Sequence, residues 1–249
     1  MTQTPPVPAQ VFDLPDQAGQ AAGRAAAELL RGAITAHGSA RVILASAPSQ
    51  ATMLATLVRQ DVDWSRVHAL HMDEYIGLPP DHPQSFGQWL ADRLPPTLGR
   101  FDRLLPGDDS AVELARYTDL LAEPVDLVCM GIGVNGHIAF NEPGSSFTDD
   151  QRVRLISLDL ASRRQQVDDD CFRSLDEVPT GALTVTIPTL MAARSIVCTV
   201  IGARKAAAVE AALTGPVDES CPGSVLQTRT DAAIFVDRAA GPGFARDRW

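Results

Sequence analysis

The residues of this chain best suited to chemistry are two acids and a histidine that follow apolar stretches of sequence. The segment HMDEYIGL at 71–78 places Asp73 and Glu74 directly after one such stretch. A carboxylate at the mouth of a strand can act as a general base, and the structural alternative is a helix N-cap or a solvated loop acid. Because neighbouring side chains on an extended chain point to opposite faces, we expect only one of the two acids to face a site.

His137 lies in the segment GIGVNGHIAFNEPGSSF at 131–147, after the most continuously apolar run of the chain. Glu142 follows closely enough for a local turn to bring it beside the imidazole, where it would fix the tautomer and keep the ring basic. A structural histidine in a tight turn is the alternative. The three glycines at 131, 133 and 136 do not form G-x-G-x-x-G in a nucleotide-binding register, because the third is followed by His137 and an Asn-Glu-Pro turn, so we expect no dinucleotide site. No spacing of His, Cys, Asp and Glu residues indicates a metal site.

Two further segments have the chemistry of an anion site. GARKA at 202–206 places Arg204 and Lys205 in the first turn of a predicted helix. Cations there oppose the helix dipole, a placement that makes sense if an anion binds the free N–H groups. SAPSQ at 46–50 also leads from a strand into a helix and offers the hydroxyls of Ser46 and Ser49. The alternatives are solvated surface cations and a simple N-cap at Ser49.

Apolar runs and helical patterns alternate along the chain and must position these side chains. Strands are predicted at 41–46, 67–72, 125–133, 153–158, 182–187, 195–202 and 232–236. Helices are predicted at 16–37, with Asp16 as N-cap, and at 49–60, 84–94, 109–121, 188–194 and 203–214. This order is typical of an α/β fold with a mostly parallel sheet and helices on both faces, in which ligands bind beyond the carboxyl ends of the strands. We expect one domain over 1–249, with 1–10 and 240–249 peripheral.

The composition excludes several classes of protein. The chain has 249 residues, a formal net charge of −10, 45% hydrophobic and 21% charged residues, which excludes a mostly disordered chain. The acidic balance argues against nucleic acid as a partner, while an anionic substrate can still bind at a local positive spot. We find no secretory signal, no run long enough to span a membrane, and four cysteines without metal-ligand spacing. We therefore expect a cytoplasmic protein with free thiols and no membrane partner.

Taken together, the motifs resemble those of the glucosamine-6-phosphate deaminase family, part of a larger group that includes 6-phosphogluconolactonase. The resemblance rests on HMDEYIGL at 71–78, GIGVNGHIAFNEPG at 131–144, VPTGALTVTI at 178–187 and GARK at 202–205. The motifs occur in the family's order and spacing over about 20–238. The resemblance implies a Rossmann-like three-layer α/β fold. It also implies conversion of glucosamine 6-phosphate to fructose 6-phosphate and ammonia, without a metal or other cofactor.

The resemblance also implies roles for individual residues. By motif position, Asp73 matches the acid/base that moves the C2 proton, and His137 matches the ring-opening catalyst. Glu142 matches the carboxylate that supports the histidine, and Lys205 matches the phosphate-binding lysine. We further expect the backbone of 133–137 to supply donors for developing negative charge.

Three departures from the family pattern affect the phosphate site and the ring-opening step. Asn135 stands where many members have aspartate, and an amide can orient the histidine but cannot accept a proton. The loop at 46–50 lacks the family's glycines, which leaves Ser46 and Ser49 as its donors. The family's phosphate-binding arginine has no clean match, and Arg164 or Arg163 is the candidate to replace it.

Two other functions remain open from the sequence. A 6-phosphogluconolactonase has a similar motif at the strand end but lacks the Asn-Glu-Pro found here at 141–143. A non-catalytic sugar-phosphate sensor is disfavoured because the chain has no helix-turn-helix segment and is acidic. The sequence does not distinguish a monomer from a homo-oligomer.

Overall fold

The computed structural model describes residues 8–107 and 110–244, and its centre is a seven-stranded sheet. The strands of the chain are β1 (Ala9–Phe12), β2 (Ala40–Leu44), β3 (Val67–His71), β4 (Asp73–Tyr75), β5 (Arg100–Asp102), β6 (Leu127–Met130), β7 (Val153–Ser157), β8 (Gly181–Val185), β9 (Ser195–Val200) and β10 (Ala233–Asp237). The central sheet has the order β1-β10-β9-β6-β2-β3-β5, and each pairing in it is parallel. This confirms the predicted α/β fold with a mostly parallel sheet.

Helices cover both faces of the central sheet. They are α1 (Pro15–His37), α2 (Ala51–Leu57), α3 (Phe86–Ala91), α4 (Ser110–Leu120), α5 (Leu160–Asp168), α6 (Ile187–Met191) and α7 (Ala206–Thr214). The strand β6 shows why both faces are buried. Its residues Leu127 and Cys129 pack with α1 and α2, while Val128 and Met130 pack with α6 and α7. A strand covered on both sides needs continuous rather than alternating apolar residues, which is the pattern of this segment.

A second, three-stranded antiparallel sheet lies beside the first, in the order β4-β8-β7. The predicted strands 153–158 and 182–187 do form, but they belong to this small sheet and not to the parallel one. Burial along β7 alternates, as expected for an antiparallel strand with one face toward solvent. Tyr75 of β4 is fully buried among aromatic and aliphatic side chains of this region. The small sheet therefore anchors the segment that begins with Asp73.

The remaining differences from the sequence predictions concern short or polar elements. Strands β1, β4 and β5 and helix α5 were not predicted, and the residues of α5 show little apolar periodicity. Ala9 and Gln10 belong to β1, and Ala240 is buried, so these residues are not peripheral. Asp16 is not the N-cap of α1, because Leu14 holds that position. Residues 1–7, 108–109 and 245–249, which include the predicted helix start at Asp109, lie outside the described residues.

Within the described ranges, no helix combines the length and the apolarity that crossing a membrane requires.

Candidate active site

A cleft opens at the carboxyl ends of the central strands, where the strand-end rule predicts it. It contains about 510 Å³ of empty space. The segments that follow β2, β3, β6 and β9 all contribute to its wall. The polar side chains that line it are Ser46, Ser49, Gln50, Asp73, His137, Gln165, Gln166 and Lys205. The topology therefore brings Asp73, His137 and Lys205, which are far apart in sequence, to one site.

Asp73 opens strand β4 and is held by antiparallel pairing with Thr184 of β8. Its side chain lines the cleft and is only 7% exposed. The carboxyl group has no hydrogen bond or ion pair to another described side chain. Burial, and secondarily the charge of Glu74, raises the pKa of Asp73 well above its ordinary value. A carboxylate in this setting is a strong base for its type, because little in the protein stabilises its charge.

Glu74 faces away from the cleft and caps helix α3. Its carboxylate accepts hydrogen bonds from the backbone N–H groups of Tyr75, Phe86 and Gly87 at 2.9–3.1 Å. It also accepts a 2.7 Å hydrogen bond from the hydroxyl of Ser85. The structure thus confirms that only one of the two adjacent acids faces the site, and it gives the other a structural role.

The loop after β6 fixes the orientation of the His137 ring. The ring lies over Gly133 so closely that a Cβ atom at that position would come within 2.2 Å of it. The N–H of Gly133 donates to the carbonyl of His137 at 2.8 Å, which closes the loop. Gly136 adopts a φ of +87°, in the left-handed region that favours glycine. The glycines of this segment therefore serve to seat the histidine.

A network of polar side chains surrounds Nδ1 of His137. The hydroxyl of Ser162 lies 3.0 Å from this nitrogen, and Glu142 Oε2 lies 3.6 Å from it. The amide of Asn135 donates to Glu142 at 2.9 Å and to Asp159 at 3.2 Å. The Oδ1 atom of Asn135 accepts from the N–H of His137 at 3.2 Å. A local turn does bring Glu142 beside the ring, as predicted, and Asn135 orients the pair.

The electrostatics of this network favour an ionised Glu142. Burial by itself would raise its pKa. The neighbouring ring of His137 and the polar side chains of Ser162 and Asn135 outweigh burial and lower the pKa of Glu142 below its ordinary value. Nε2 of His137 has no hydrogen-bond partner among the described residues, and the residue lines the cleft. The ring therefore presents a free nitrogen to any ligand bound there.

The expectation that the backbone of 133–137 supplies free donors is wrong for most of that segment. The N–H of Gly133 bonds the His137 carbonyl, and that of Gly136 bonds the Gly133 carbonyl. The N–H of Val134 donates to Oε1 of Gln165, and that of His137 donates to Asn135. These groups build the loop, so they are not available to a bound substrate.

Lys205 is the only lysine of the chain and lines the cleft. Burial is the main cause that lowers its pKa to about 8. Its neighbour Arg204 pairs with Asp168 and Asp169 instead, so the two cations of the GARK segment have different surroundings. No ion pair joins Lys205 to another described residue, which leaves its ammonium group available to an anion.

The serines of the loop at 46–50 also differ from each other. The hydroxyl of Ser46 donates to the carbonyl of Phe86 at 3.0 Å, so its proton already serves to join this loop to α3. Ser49 lines the cleft, and its hydroxyl has no hydrogen bond to any residue that the structure describes. It is not an N-cap either, since a short 3₁₀ helix, Pro48–Gln50, contains it. Of the two predicted donors, Ser49 is the one with a free hydroxyl.

The arginines at 163–164 do not line the cleft. Arg163 donates to the carbonyls of Leu175 and Val178 at 2.6 and 3.0 Å, and Arg164 is exposed. From the same helix, α5, the side chains of Gln165 and Gln166 reach the cleft instead. Neither glutamine was predicted as a site residue, because a helix with little apolar periodicity does not show in its sequence which face is buried.

The residues of the site do not form a metal centre. Within the described part of the chain, no group of three or more His, Cys, Asp and Glu side chains is placed to hold an ion. The donors that line the cleft are an acid, an imidazole, an amine, amides and hydroxyls, a set suited to proton transfer and to binding a polar anion.

Comparisons with known proteins give one consistent result. The profile of the family described as glucosamine-6-phosphate isomerases/6-phosphogluconolactonase matches residues 13–235. The glucosamine-6-phosphate deaminase of Streptococcus equi subsp. zooepidemicus is 36% identical over 222 residues, covering 88% of this chain and 93% of that protein. The glucosamine-6-phosphate deaminase of Streptococcus thermophilus is 37% identical over 223 residues, with the same coverage.

Solved structures agree with the sequences. A monomeric glucosamine-6-phosphate deaminase superposes with a TM-score of 0.85 at 28% identity, covering 94% of this chain and 98% of the other. A 6-phosphogluconolactonase from Shewanella baltica gives a TM-score of 0.74 at 18% identity, covering 94% and 99%. The second similarity concerns the fold alone.

Proposed function

The chain belongs to the family of glucosamine-6-phosphate isomerases and 6-phosphogluconolactonases, and we propose that it is a glucosamine-6-phosphate deaminase. It converts glucosamine 6-phosphate and water to fructose 6-phosphate and ammonia. One observation carries the proposal: the buried carboxyl group of Asp73, Nε2 of His137 and the ammonium group of Lys205 line the same cleft, and none of them pairs with another residue in the described part of the chain. In this arrangement Asp73 can remove a proton from carbon, His137 can move protons between oxygen atoms, and Lys205 can bind an anion.

Ring opening is the task of His137. The pyranose form of the sugar opens when a proton leaves the anomeric hydroxyl and another reaches the ring oxygen. A neutral imidazole performs both transfers with one nitrogen. Nε2 is the nitrogen that faces the cleft, while Nδ1 is engaged by Ser162. Glu142 stabilises the imidazolium that forms between the two transfers.

Isomerisation is the task of Asp73. Its carboxylate removes the proton from C2 of the open-chain aldehyde and returns it to C1, while O1 takes up the proton that the C2 ammonium group loses, so the aldehyde becomes a hydroxymethyl group. The C2 amine becomes an imine, which water hydrolyses to the ketone with release of ammonia. The raised pKa of Asp73 makes its carboxylate a more effective base once it is ionised. The positively charged amine of the substrate favours that ionised state when it binds nearby.

The phosphate group binds at the end of the cleft that contains Lys205 and Ser49. An ammonium group without an ion pair and a free hydroxyl supply positive charge and donors there. Gln165 and Gln166 add amide donors from α5 to the same cleft. In this proposal Arg164 has no part, and Ser46 acts by holding the loop.

The proposal extends to the organisation and location of the protein. The chain acts as one catalytic domain, because both sheets contribute to a single cleft. The protein acts in amino-sugar breakdown, including that of N-acetylglucosamine. It is cytoplasmic, because charged sugar phosphates do not cross membranes unaided.

An assay of ammonia and fructose 6-phosphate release tests the proposal. The purified protein is incubated with glucosamine 6-phosphate, other amino-sugar phosphates and 6-phosphogluconolactone. We expect both products from glucosamine 6-phosphate, in equal amounts, and no lactone hydrolysis above background. Asp73→Asn should remove this activity, while Asp61→Asn, at an exposed position, should retain it. Lactone hydrolysis without ammonia release would contradict the deaminase function and indicate a 6-phosphogluconolactonase. Binding of sugar phosphate without turnover of any substrate would indicate a sensor.

A further inference from the structure

We propose that Ser162 is a positioning residue that links His137 to Glu142 and sets the tautomer of the imidazole. The serine hydroxyl accepts a hydrogen bond from Nδ1–H of His137 and donates its own proton to Glu142. The neutral ring therefore carries its proton on Nδ1 and presents an unprotonated Nε2 to the cleft. The kinetic consequence of this arrangement rests on the proposed function, whereas the tautomer itself does not.

Distances are the first support for the link. Nδ1 of His137 is 3.0 Å from the Ser162 hydroxyl but 3.6 Å from Glu142 Oε2. The second distance exceeds hydrogen-bond length, so the carboxylate does not hold the ring by direct contact. Ser162 comes from α5, 25 residues beyond the histidine, and is completely buried. A hydroxyl without access to solvent must find its partners within the protein.

The direction of the two hydrogen bonds of Ser162 follows from the chemistry of Glu142, which is the acceptor of one of them. An ionised carboxylate can only accept, and the Ser162 hydroxyl is one of the groups that stabilise the charge of Glu142. Oε1 of Glu142 is buried and has no hydrogen-bond partner among the described residues, so it is the acceptor that remains for the serine proton. Since the serine proton goes to Glu142, the serine oxygen is left to accept from Nδ1–H.

Helix α5 makes this contact rigid. The backbone N–H of Ser162 donates to Oδ1 of Asp159, the N-cap of the helix, at 2.7 Å. The other carboxylate oxygen of Asp159 accepts from the amide of Asn135 at 3.2 Å. The start of α5 thus holds Asp159, which contacts Asn135, and Ser162, which contacts His137. In this site an amide and a hydroxyl connect the histidine to its carboxylates.

The charged and titratable groups around His137 are few. Glu142 lies beside Nδ1, Asp159 acts through Asn135, and Asp73 and Lys205 line the same cleft. Phe140 is the aromatic neighbour, with ring centroids 6.5 Å apart. A change in tautomer after loss of the Ser162 hydroxyl is therefore not explained by removal of a charge.

The first experiment measures the tautomer in the ligand-free protein. Histidine is labelled with ¹⁵N, and two-bond ¹H–¹⁵N spectra are recorded at a pH at which histidine rings are neutral. The spectrum of His137→Gln assigns the signal of His137. We expect wild-type His137 as the Nδ1–H form and a mixture of both forms in Ser162→Ala. Thr186→Val removes a buried hydroxyl outside the cleft and should leave the wild-type pattern. An Nε2–H form in the wild type overturns the proposal without reference to any variant.

The second experiment separates positioning from folding and from substrate binding. In Ser162→Ala we expect kcat to fall roughly 10- to 100-fold, at or below the low end of the contribution of an acid–base group itself. KM should change by no more than about twofold, because the hydroxyl does not touch the substrate. Ser162→Thr, which keeps the hydroxyl, should recover most of the lost kcat. Equal losses in the alanine and threonine variants, with both folded, would contradict the proposal.

The two experiments also distinguish this inference from the proposed function. A wild-type protein that releases no ammonia defeats the deaminase assignment, while the spectra still decide the role of Ser162. A wild-type protein that is active, with the same tautomer in Ser162→Ala, defeats the Ser162 inference alone.

Discussion

Two parts of the cleft wall treat their functional groups in opposite ways. In one part, the loop after β6 and helix α5, hydrogen bonds join His137 to Ser162 and to Asn135, and Asn135 to Glu142. In the other part, the segments after β3 and β9, Asp73 is buried and Lys205 is half-buried, and neither side chain has a hydrogen bond or ion pair among the described residues. We call these the bonded wall and the open wall.

The difference shows where each kind of group obtains its partner. The proton shuttle must have a defined orientation before substrate arrives, so protein side chains hold it. The groups of the open wall pair with charges on the substrate. Until the substrate binds, they are removed from water without a partner that offsets the cost of desolvation. We therefore expect substitutions on the open wall to lower activity and raise stability. Substitutions on the bonded wall should change the orientation of the His137 ring.

Asp73→Asn provides the largest test of this comparison. We expect turnover to fall about 10³-fold, the range typical of removing a general base. We also expect the melting temperature to rise at neutral pH, since the variant loses a carboxyl group whose charged form is disfavoured by burial. The sign follows from the raised pKa in the folded state: above about pH 4 the unfolded chain ionises first. Wild-type stability therefore falls, relative to the variant, as pH rises from there.

Turnover and thermal melting measured over the same pH range check both effects. An asparagine variant that is inactive but less stable than the wild type would show that Asp73 has a structural partner, and the open wall would lose its clearest member.

Lys205→Met tests the anion end of the open wall. We expect KM for glucosamine 6-phosphate to rise about 10- to 100-fold, because a charge-assisted hydrogen bond contributes about 1.5–3 kcal/mol. The kcat value should change much less, since the amine is distant from the reacting carbons. Steady-state kinetics with Lys205→Arg as the matched control should show a smaller rise in KM. A loss confined to kcat would instead place Lys205 at the reacting end of the sugar.

The pH dependence of KM provides a graded test of the same residue. Its pKa of about 8 means that the ammonium form, which binds the phosphate, is lost as pH rises through that value. We expect KM to be nearly constant below about pH 7 and to rise about tenfold for each pH unit well above 8. Lys205→Arg should remove this rise, because a guanidinium stays charged. The same alkaline limb in the arginine variant would assign the titration to another group.

Glu74→Gln should have the smallest effect on turnover and the opposite sign to Asp73→Asn on stability. All four groups bonded to Glu74 donate to it, and three are backbone N–H groups. The amide NH₂ of glutamine would replace one carboxylate oxygen and face a buried donor. This should lower the free energy of unfolding by about 1–3 kcal/mol. Chemical denaturation with unchanged m-value checks this. A more stable Glu74→Gln would remove the contrast between adjacent acids.

Prediction from sequence succeeded where the signal was local. The strands that lead into the cleft, β2, β3, β6 and β9, have mainly apolar sequences and their carboxyl ends converge, so the positions of Asp73, His137 and Lys205 in one cleft followed from the pattern. Prediction failed for α5, whose sequence LASRRQQVD has little apolar periodicity. That helix forms because Asp159 caps it and its buried polar face packs against the loop of His137.

The sequence by itself determined the fold class, the strand ends at which chemistry takes place and the side chains that can perform it. Periodicity and residue type are sufficient for this, since burial on both faces of a sheet leaves a regular apolar pattern. Only the tertiary structure decided which polar groups are already engaged: Glu74 by α3, Arg163 by the carbonyls of Leu175 and Val178, and the loop amides by their own neighbours. Hydrogen bonds depend on distances of a few tenths of an ångström between residues far apart in the chain. Ser162 beside His137 is such a pair, and no local pattern encodes it.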